Sequence, residues 1–325
     1  EVRGVLGRIA LTVFIVEAAT AALLTGRLTL GYGMDFGTAL WHGAFHAVSA
    51  FNNAGFSVNT DSLMPYVSDP WINVPVIIAV VVGGLGFPVL LELRRQIGKP
   101  RRWSTHTKIT VFGTSILLPF GMLAMLALEW ANPNTLGPLG VPGKLLASFF
   151  HSAMARTAGF NSIDIGQLHP ATLAVTDGLM FIGGGSAGTA GGIKVTTFFL
   201  LAFVIWSELR GVDDVHVHTR RVAASAQRQA LTVALLGVAL VAAATVVLQV
   251  MTGYETDKVL FEAVSAFATV GLSTGITPEL DGPPQLVLIG LMFVGRVGPM
   301  TVGAALALRT RHRLYRLPEG RPIVG

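Results

Sequence analysis

One thirteen-residue pattern occurs three times in this chain and constrains its fold more than any other feature. The copies are FHAVSAFNNAGFS (Phe45 to Ser57), FFHSAMARTAGFN (Phe149 to Asn161) and FEAVSAFATVGLS (Phe261 to Ser273). Gly55, Gly159 and Gly271 fall in register, as do Phe45, Phe149 and Phe261 ten positions earlier; Ser49 matches Ser265 and Phe51 matches Phe267. The glycines are 104 and 112 positions apart, so the repeating unit is longer than a solenoid repeat. Each copy reads as a helix of about ten residues, too short to cross a bilayer. Each helix stops at a small-residue loop: Asn53-Ala54-Gly55, Thr157-Ala158-Gly159 or Thr269-Val270-Gly271. Glycine there permits φ > 0 and lets consecutive carbonyls point one way. Carbonyls from several such loops around one axis replace the hydration shell of a cation. A single copy would read as a helix C-cap. Three copies, each between two long apolar spans, favour a pore.

The chain has 325 residues, 52% hydrophobic and 13% charged, with mean hydropathy +0.63. A soluble domain carries about a quarter charged residues, so this is a membrane protein profile. The absence of cysteine excludes disulfides, thiol nucleophiles and thiolate metal sites. The net charge of +5 is no nucleic-acid signature, because the basic residues sit in short blocks at the ends of apolar spans.

Six apolar spans are expected, at about 5–26, 71–93, 109–128, 172–206, 230–251 and 285–308, each near or above the ~20 residues that cross a bilayer. With the short helices they form three span–loop–span units, 1–98, 99–219 and 220–325. Basic residues lie between the units (Arg94, Arg95, Lys99, Arg101, Arg102 and Lys108; Arg210, Arg220, Arg221 and Arg228) and after the last span, from Arg309 to Arg321. Ser57 to Pro70 has Asp61 and Asp69 but no Lys or Arg. The between-unit segments are therefore cytoplasmic and the pore loops enter from outside. The expected fold is all-α and integral to the membrane, with parallel repeats about an axis along the membrane normal.

Three spans carry anomalies. At 71–93 the run Gly83-Gly84-Leu85-Gly86-Phe87-Pro88 predicts close packing of small residues and a kink at Pro88. At 172–206 the run Gly183-Gly184-Gly185-Ser186-Ala187-Gly188-Thr189-Ala190-Gly191-Gly192 has six glycines in ten residues, too many for a helix at ~1 kcal/mol each. Irregular backbone at membrane depth survives only buried in protein or lining a water-filled cavity. In the last span Arg296 is an intramembrane cation that must face the interior and find carbonyls or a carboxylate. Glu17, inside the first span, reads either as a pathway residue or as a partner for an arginine.

Enzyme patterns in the glycine run are accidental. Gly183-x-Gly185-x-x-Gly188 has dinucleotide-binding spacing but no preceding strand. Gly184-x-Ser186-x-Gly188 has nucleophile-elbow spacing, yet no histidine lies inside a long span to act as base. His46 and His151 belong to the short helices, where packing is the default.

FNNAGFS, ARTAGFNS, the GGGSAGTAGGIKVTT run and ATVGLSTG together resemble the potassium-uptake superfamily of Trk, Ktr and HKT transporters. The likeness is greatest to the membrane subunit of the bacterial Ktr type, whose short ending is similar to Leu317 to Gly325. The resemblance covers nearly the whole chain. It implies potassium as substrate, no cofactor in this chain, and a bacterial plasma-membrane homodimer with a cytosolic, nucleotide-binding ring as regulatory partner. It places Gly55, Gly159 and Gly271 at a selectivity filter. Gly183 to Gly192 would be an intramembrane gate below it, with Arg296 facing that loop. The family has four units; the three here would be its second, third and fourth, with a first unit expected before Glu1. Shortening 184–191 is expected to raise potassium flux without touching the filter. The competing reading is a secondary cation transporter with stoichiometric sodium or proton coupling.

Overall fold

The structure, a computed structural model, describes residues 2–298 apart from 213, 218 and 219. It is almost wholly α-helical. Among the described residues the only strand pairing is His216–Val217 (β1) with Arg220–Arg221 (β2), antiparallel, between the second and third units.

Each unit opens with one uninterrupted helix: α1 (Val2–Tyr32), α5 (Thr105–Glu129) or α9 (Ala224–Thr252). All three are long and apolar enough to cross a bilayer. Next come the short helices α2 (Phe36–Phe51), α6 (Val141–Met154) and α10 (Thr256–Phe267). They run to 16, 14 and 12 residues rather than the expected ten or so, because their start signals lie upstream of the repeated pattern. Asp35 caps α2 by accepting from the Gly37 and Thr38 amides, at 3.0 and 3.3 Å. Pro142 occupies the first turn of α6.

Each unit then turns back into a third helix: α3 (Pro70–Leu85), α7 (Pro170–Ile182) or α11 (Pro283–Val297). Each begins on a proline, whose missing N–H costs nothing in a first turn. Each also stops at a glycine in left-handed backbone, Gly86 (φ 93°), Gly183 (φ 70°) or Gly298 (φ 92°). In the first unit the chain resumes at once as α4 (Phe87–Gln96), turned by 101°. The expected continuous span at 71–93 is therefore two helices. The break is at Gly86 and not a kink at Pro88, which sits harmlessly in the first turn of α4. In the second unit residues 183–194 intervene, non-helical as expected, before α8 (Val195–Leu209). In the third, the expected continuation to 308, the last basic run and the tail lie outside the described residues.

Packing follows the same rotation. α3 packs on α2 of its own unit and on α6 of the next; α7 packs on α10 of the third unit, which in turn carries α11. The short helices form the centre, where Phe51, Phe150, Phe160, Phe261 and Phe267 are fully buried. The small-residue reading of 83–88 holds here. A Cβ at Gly83 would overlap the Phe51 carbonyl, and one at Gly295 would overlap the equivalent Phe267 carbonyl.

Gly83→Ala and Gly295→Ala should each destabilise the protein by about 1–3 kcal/mol, as for an overpacked core. Gly290→Ala, whose Cβ would meet nothing within 4 Å, should leave the thermal midpoint in detergent unchanged. Equal midpoints for all three would contradict the close approach.

Candidate functional site

The three repeated loops begin where α2, α6 and α10 end, so each sits at a helix C-terminus with its partial negative charge. In each loop two residues adopt left-handed backbone at the same register: Asn53 (φ 50°) and Gly55 (74°), Thr157 (78°) and Gly159 (74°), Thr269 (50°) and Gly271 (95°). For Asn and Thr that conformation costs about 1–3 kcal/mol and persists only where the surroundings impose it. Alternating the hand of the backbone turns successive carbonyls toward one side.

The loops meet edge to edge. A Cβ at Gly55 would overlap the Ala158 carbonyl, and one at Gly159 would overlap the Val270 carbonyl. Only glycine lets neighbouring loops approach this closely. The order of contact is therefore the order in sequence, 55 to 159 to 271. Between the third loop and the first lies a cavity of about 520 Å³ whose walls include Asn53, Ala54, Glu262, Thr269, Val270 and Arg296.

Side chains of the short helices hold the outer ends of the loops. Ser49 donates to the Phe56 carbonyl at 2.8 Å, and Ser265, its match, to the Leu272 carbonyl at 2.6 Å. His46 Nε2 lies 2.9 Å from Ser57 Oγ; at the same register Ser273 donates to Glu262 at 2.9 Å. The second copy has Phe150 and Ala153 at these positions and relies on packing, since Phe150, Ala153, Ala158 and Phe160 are all buried. Its exit is tied to the first unit, where the Leu63 amide donates to the Asn161 carbonyl at 3.0 Å.

The loop 183–194, buried at Gly183 to Gly185 and Thr189 to Gly191, touches the base of all three repeated loops. Thr189 Oγ1 lies 3.1 Å from the Phe51 carbonyl and 2.9 Å from Asn53 Oδ1. Arg156, directly before Thr157, donates to the Gly183 carbonyl through Nε and Nη2, both at 3.3 Å. Gly191 is so close to the third loop that a Cβ would overlap the Ala268 carbonyl. The other side of the loop rests on the break in the first unit: the Gly185 amide donates to the Gly84 carbonyl at 2.7 Å and the Phe87 amide to the Ala187 carbonyl at 3.1 Å.

Three cations sit on the carbonyls of this loop. Besides Arg156 on Gly183, Lys194 Nζ donates to the Ala190 carbonyl and Arg296 Nη1 to the Thr189 carbonyl, each at 2.6 Å. Among the described residues none of the three makes an ion pair with a carboxylate.

The nine loop residues at 53–55, 157–159 and 269–271 are thus brought together, and 183–192 with Arg296 lies against them. Glu17 stands apart from this cluster, accepting from Asn52 Nδ2 at 2.9 Å. His151 is buried and paired with Thr176 at 3.0 Å. The sequence reading passed over Arg156 and the Gly84–Gly86 cradle. The signal for the first was available: a second arginine at membrane depth needs internal partners as much as Arg296 does.

Comparison with known proteins identifies relatives of the whole chain. The model of the TrkH cation transport protein family matches residues 2–310. Two similar proteins are the Ktr system potassium uptake protein B of Bacillus subtilis (strain 168) and that of Vibrio alginolyticus. The first is 39% identical over 310 residues, covering 95% of this chain and 69% of that protein. The second is 39% identical over 316 residues, covering 96% and 69%. Among solved structures, the potassium transporter TrkH from Vibrio parahaemolyticus has the same fold, with TM-score 0.71 and 17% identity. That match covers 94% of this chain but only 64% of the solved one.

Removing a serine anchor should loosen its loop. Ser49→Ala and Ser265→Ala are each expected to cost about 0.5–1.5 kcal/mol, the net value of one hydrogen bond, read as a lowered thermal midpoint. Unchanged midpoints in both would mean that the anchors do not hold the loops.

Proposed function

The chain belongs to the TrkH family of cation transport proteins, and from that membership we propose that it carries potassium through a channel-like pore. It is a membrane transport protein and not an enzyme. The observation that carries the proposal is the edge-to-edge meeting of three glycine loops, one from each repeat, at the C-termini of three short helices. Backbone carbonyls of Asn53 to Gly55, Thr157 to Gly159 and Thr269 to Gly271 replace the hydration shell, and the helix ends favour a cation over an anion. At the inner end, Asn53, Thr157 and Thr269 bring side-chain oxygens at one register. Thr269 Oγ1 is buried without a partner among the described residues, a free acceptor where a cation passes. Potassium is the ion named for the two Ktr relatives and for the solved TrkH.

A secondary transporter with stoichiometric coupling would bind its ion at a site unique to one repeat. The equivalent contribution from three repeats supports the pore. The cavity between the third and first loops marks a sector that these three loops do not fill. The same reading makes the protein a homodimer of the bacterial plasma membrane working with a cytosolic, nucleotide-binding ring. The connection between α8 and α9 carries only the β1–β2 pair among its described residues, too little for a regulatory domain of about 50 residues.

Below the filter, residues 183–192 act as the gate. The loop lies against all three filter bases, and the cations on its carbonyls repel a cation leaving the filter. Arg296 holds the closed position through the Thr189 carbonyl.

In uptake assays on the whole protein in cells lacking other potassium transport, Gly55→Ser, Gly159→Ser and Gly271→Ser should lower potassium-over-sodium selectivity, since a side chain disfavours the required φ. Wild-type selectivity in all three would remove the filter assignment. Shortening 184–191 should raise flux. Arg296→Ala should do so more weakly, and the pair should be less than additive because both remove one contact set. Unchanged flux in the shortened loop, or strict additivity, would make the loop a passive packing element.

A further inference from the structure

Thr189 is the one loop residue that faces both the gate's latch and the filter. Its carbonyl accepts from Arg296 Nη1 at 2.6 Å. Its hydroxyl reaches the Phe51 carbonyl at 3.1 Å and the Asn53 side-chain amide at 2.9 Å. Asn53 Nδ2 in turn lies 3.5 Å from Thr157 Oγ1, in the second filter loop. The residue before Thr157 is Arg156, whose guanidinium returns to the Gly183 carbonyl at the start of the buried loop. The polar contacts therefore close a circuit: buried loop, first filter loop, second filter loop, buried loop.

The circuit holds in either orientation of the Asn53 amide, which is an assignment and not an observation. With Oδ1 toward Thr189, the threonine hydroxyl donates to it. With the amide turned, its NH₂ donates to Thr189 Oγ1, the Thr189 proton goes to the Phe51 carbonyl, and Oδ1 accepts from Thr157. All these groups are buried: Thr157 and Phe51 have no exposed surface, and Asn53 is 4% exposed.

Asn53 and Thr157 are also the two non-glycine residues that the circuit holds in left-handed backbone, at φ 50° and 78°. Strain of this kind survives only while neighbouring contacts over-determine it. We propose that Thr189 is a specificity-determining positioning residue, which couples the position of the buried loop to the geometry of the inner filter. Resting on the filter and gate reading above, this replaces the expectation that the gate works without touching the filter. When the loop leaves the axis it withdraws its hold on Asn53, and the inner filter relaxes. Arg296, by fixing the Thr189 carbonyl, governs selectivity as well as passage.

The test uses the full-length protein in liposomes, with potassium flux and the potassium-to-sodium permeability ratio measured on the same preparations. Thr189→Val keeps the shape and removes the hydroxyl. It should lower the ratio about threefold to tenfold, the effect of one or two neutral hydrogen bonds, and Thr189→Ser should restore it. A merely structural role would not give rescue of the ratio by serine. Asn53→Ala should lower the ratio similarly and add little on top of Thr189→Val, since both break the same contact; if Thr189→Val fails to fold, Thr189→Ala takes its place in the pair. A Thr189→Val protein with raised flux and a wild-type ratio overturns the coupling and leaves the gate reading intact. Full additivity of the Asn53 and Thr189 changes also overturns it. Filter-glycine variants that keep wild-type selectivity would instead defeat the reading on which the coupling rests.

Discussion

A backbone N–H or C=O left unpaired at bilayer depth costs several kcal/mol, because no water is there to take its place. This chain breaks the third helix of the first two units at a glycine, at Gly86 and Gly183, and caps that of the third at Gly298. The rest of the architecture supplies partners for what those breaks expose. The last carbonyls of α3 are met by amides of the buried loop, Gly185 on Gly84 and Thr189 on Gly83 at 3.4 Å. The loop's own carbonyls are met by Arg156, Lys194 and Arg296. The many glycines in both segments follow from this exchange. The two segments lie so close that a Cβ would overlap a carbonyl, as at Gly185 against Leu85 and Gly86 against Ser186.

The repeat made much of the fold legible. Register among Gly55, Gly159 and Gly271 identified the loops, and the glycine density of 183–192 marked a non-helical segment inside a span. What escaped depended on which segments meet in space. Gly83 to Pro88 looked like a kinked helix, because a kink and a 101° break have the same composition and differ only in what receives the freed carbonyls. Arg156 sits inside the repeated motif, and its partner, the Gly183 carbonyl, lies 27 positions away. The second hydroxyl contact of Thr189, 138 positions from Phe51, has no local signature at all.

The site balances two electrostatic demands in a small volume. Carbonyls and helix C-termini of the repeated loops favour a cation. The loop below also presents carbonyls, yet three of them are already taken by side-chain cations, which act as ions on tethers. Two carbonyl-rich segments in contact thus differ in what they leave open, and the difference comes from three long side chains, one from the loop's own end and two from other elements.

The three repeated loops have kept one backbone path while diverging in the side chains that steady it: His46 with Ser57, Phe150 against buried neighbours, Glu262 with Ser273. In a ring of identical subunits, a change at one gene position falls on every sector at once. Here each sector has its own codons. A substitution touches one of the three loops and leaves the others as they were. Covalent linkage therefore lets selection adjust the site in small, unequal steps, and lets a lopsided solution such as one histidine, one phenylalanine and one glutamate persist at a position that subunit symmetry would force to be uniform.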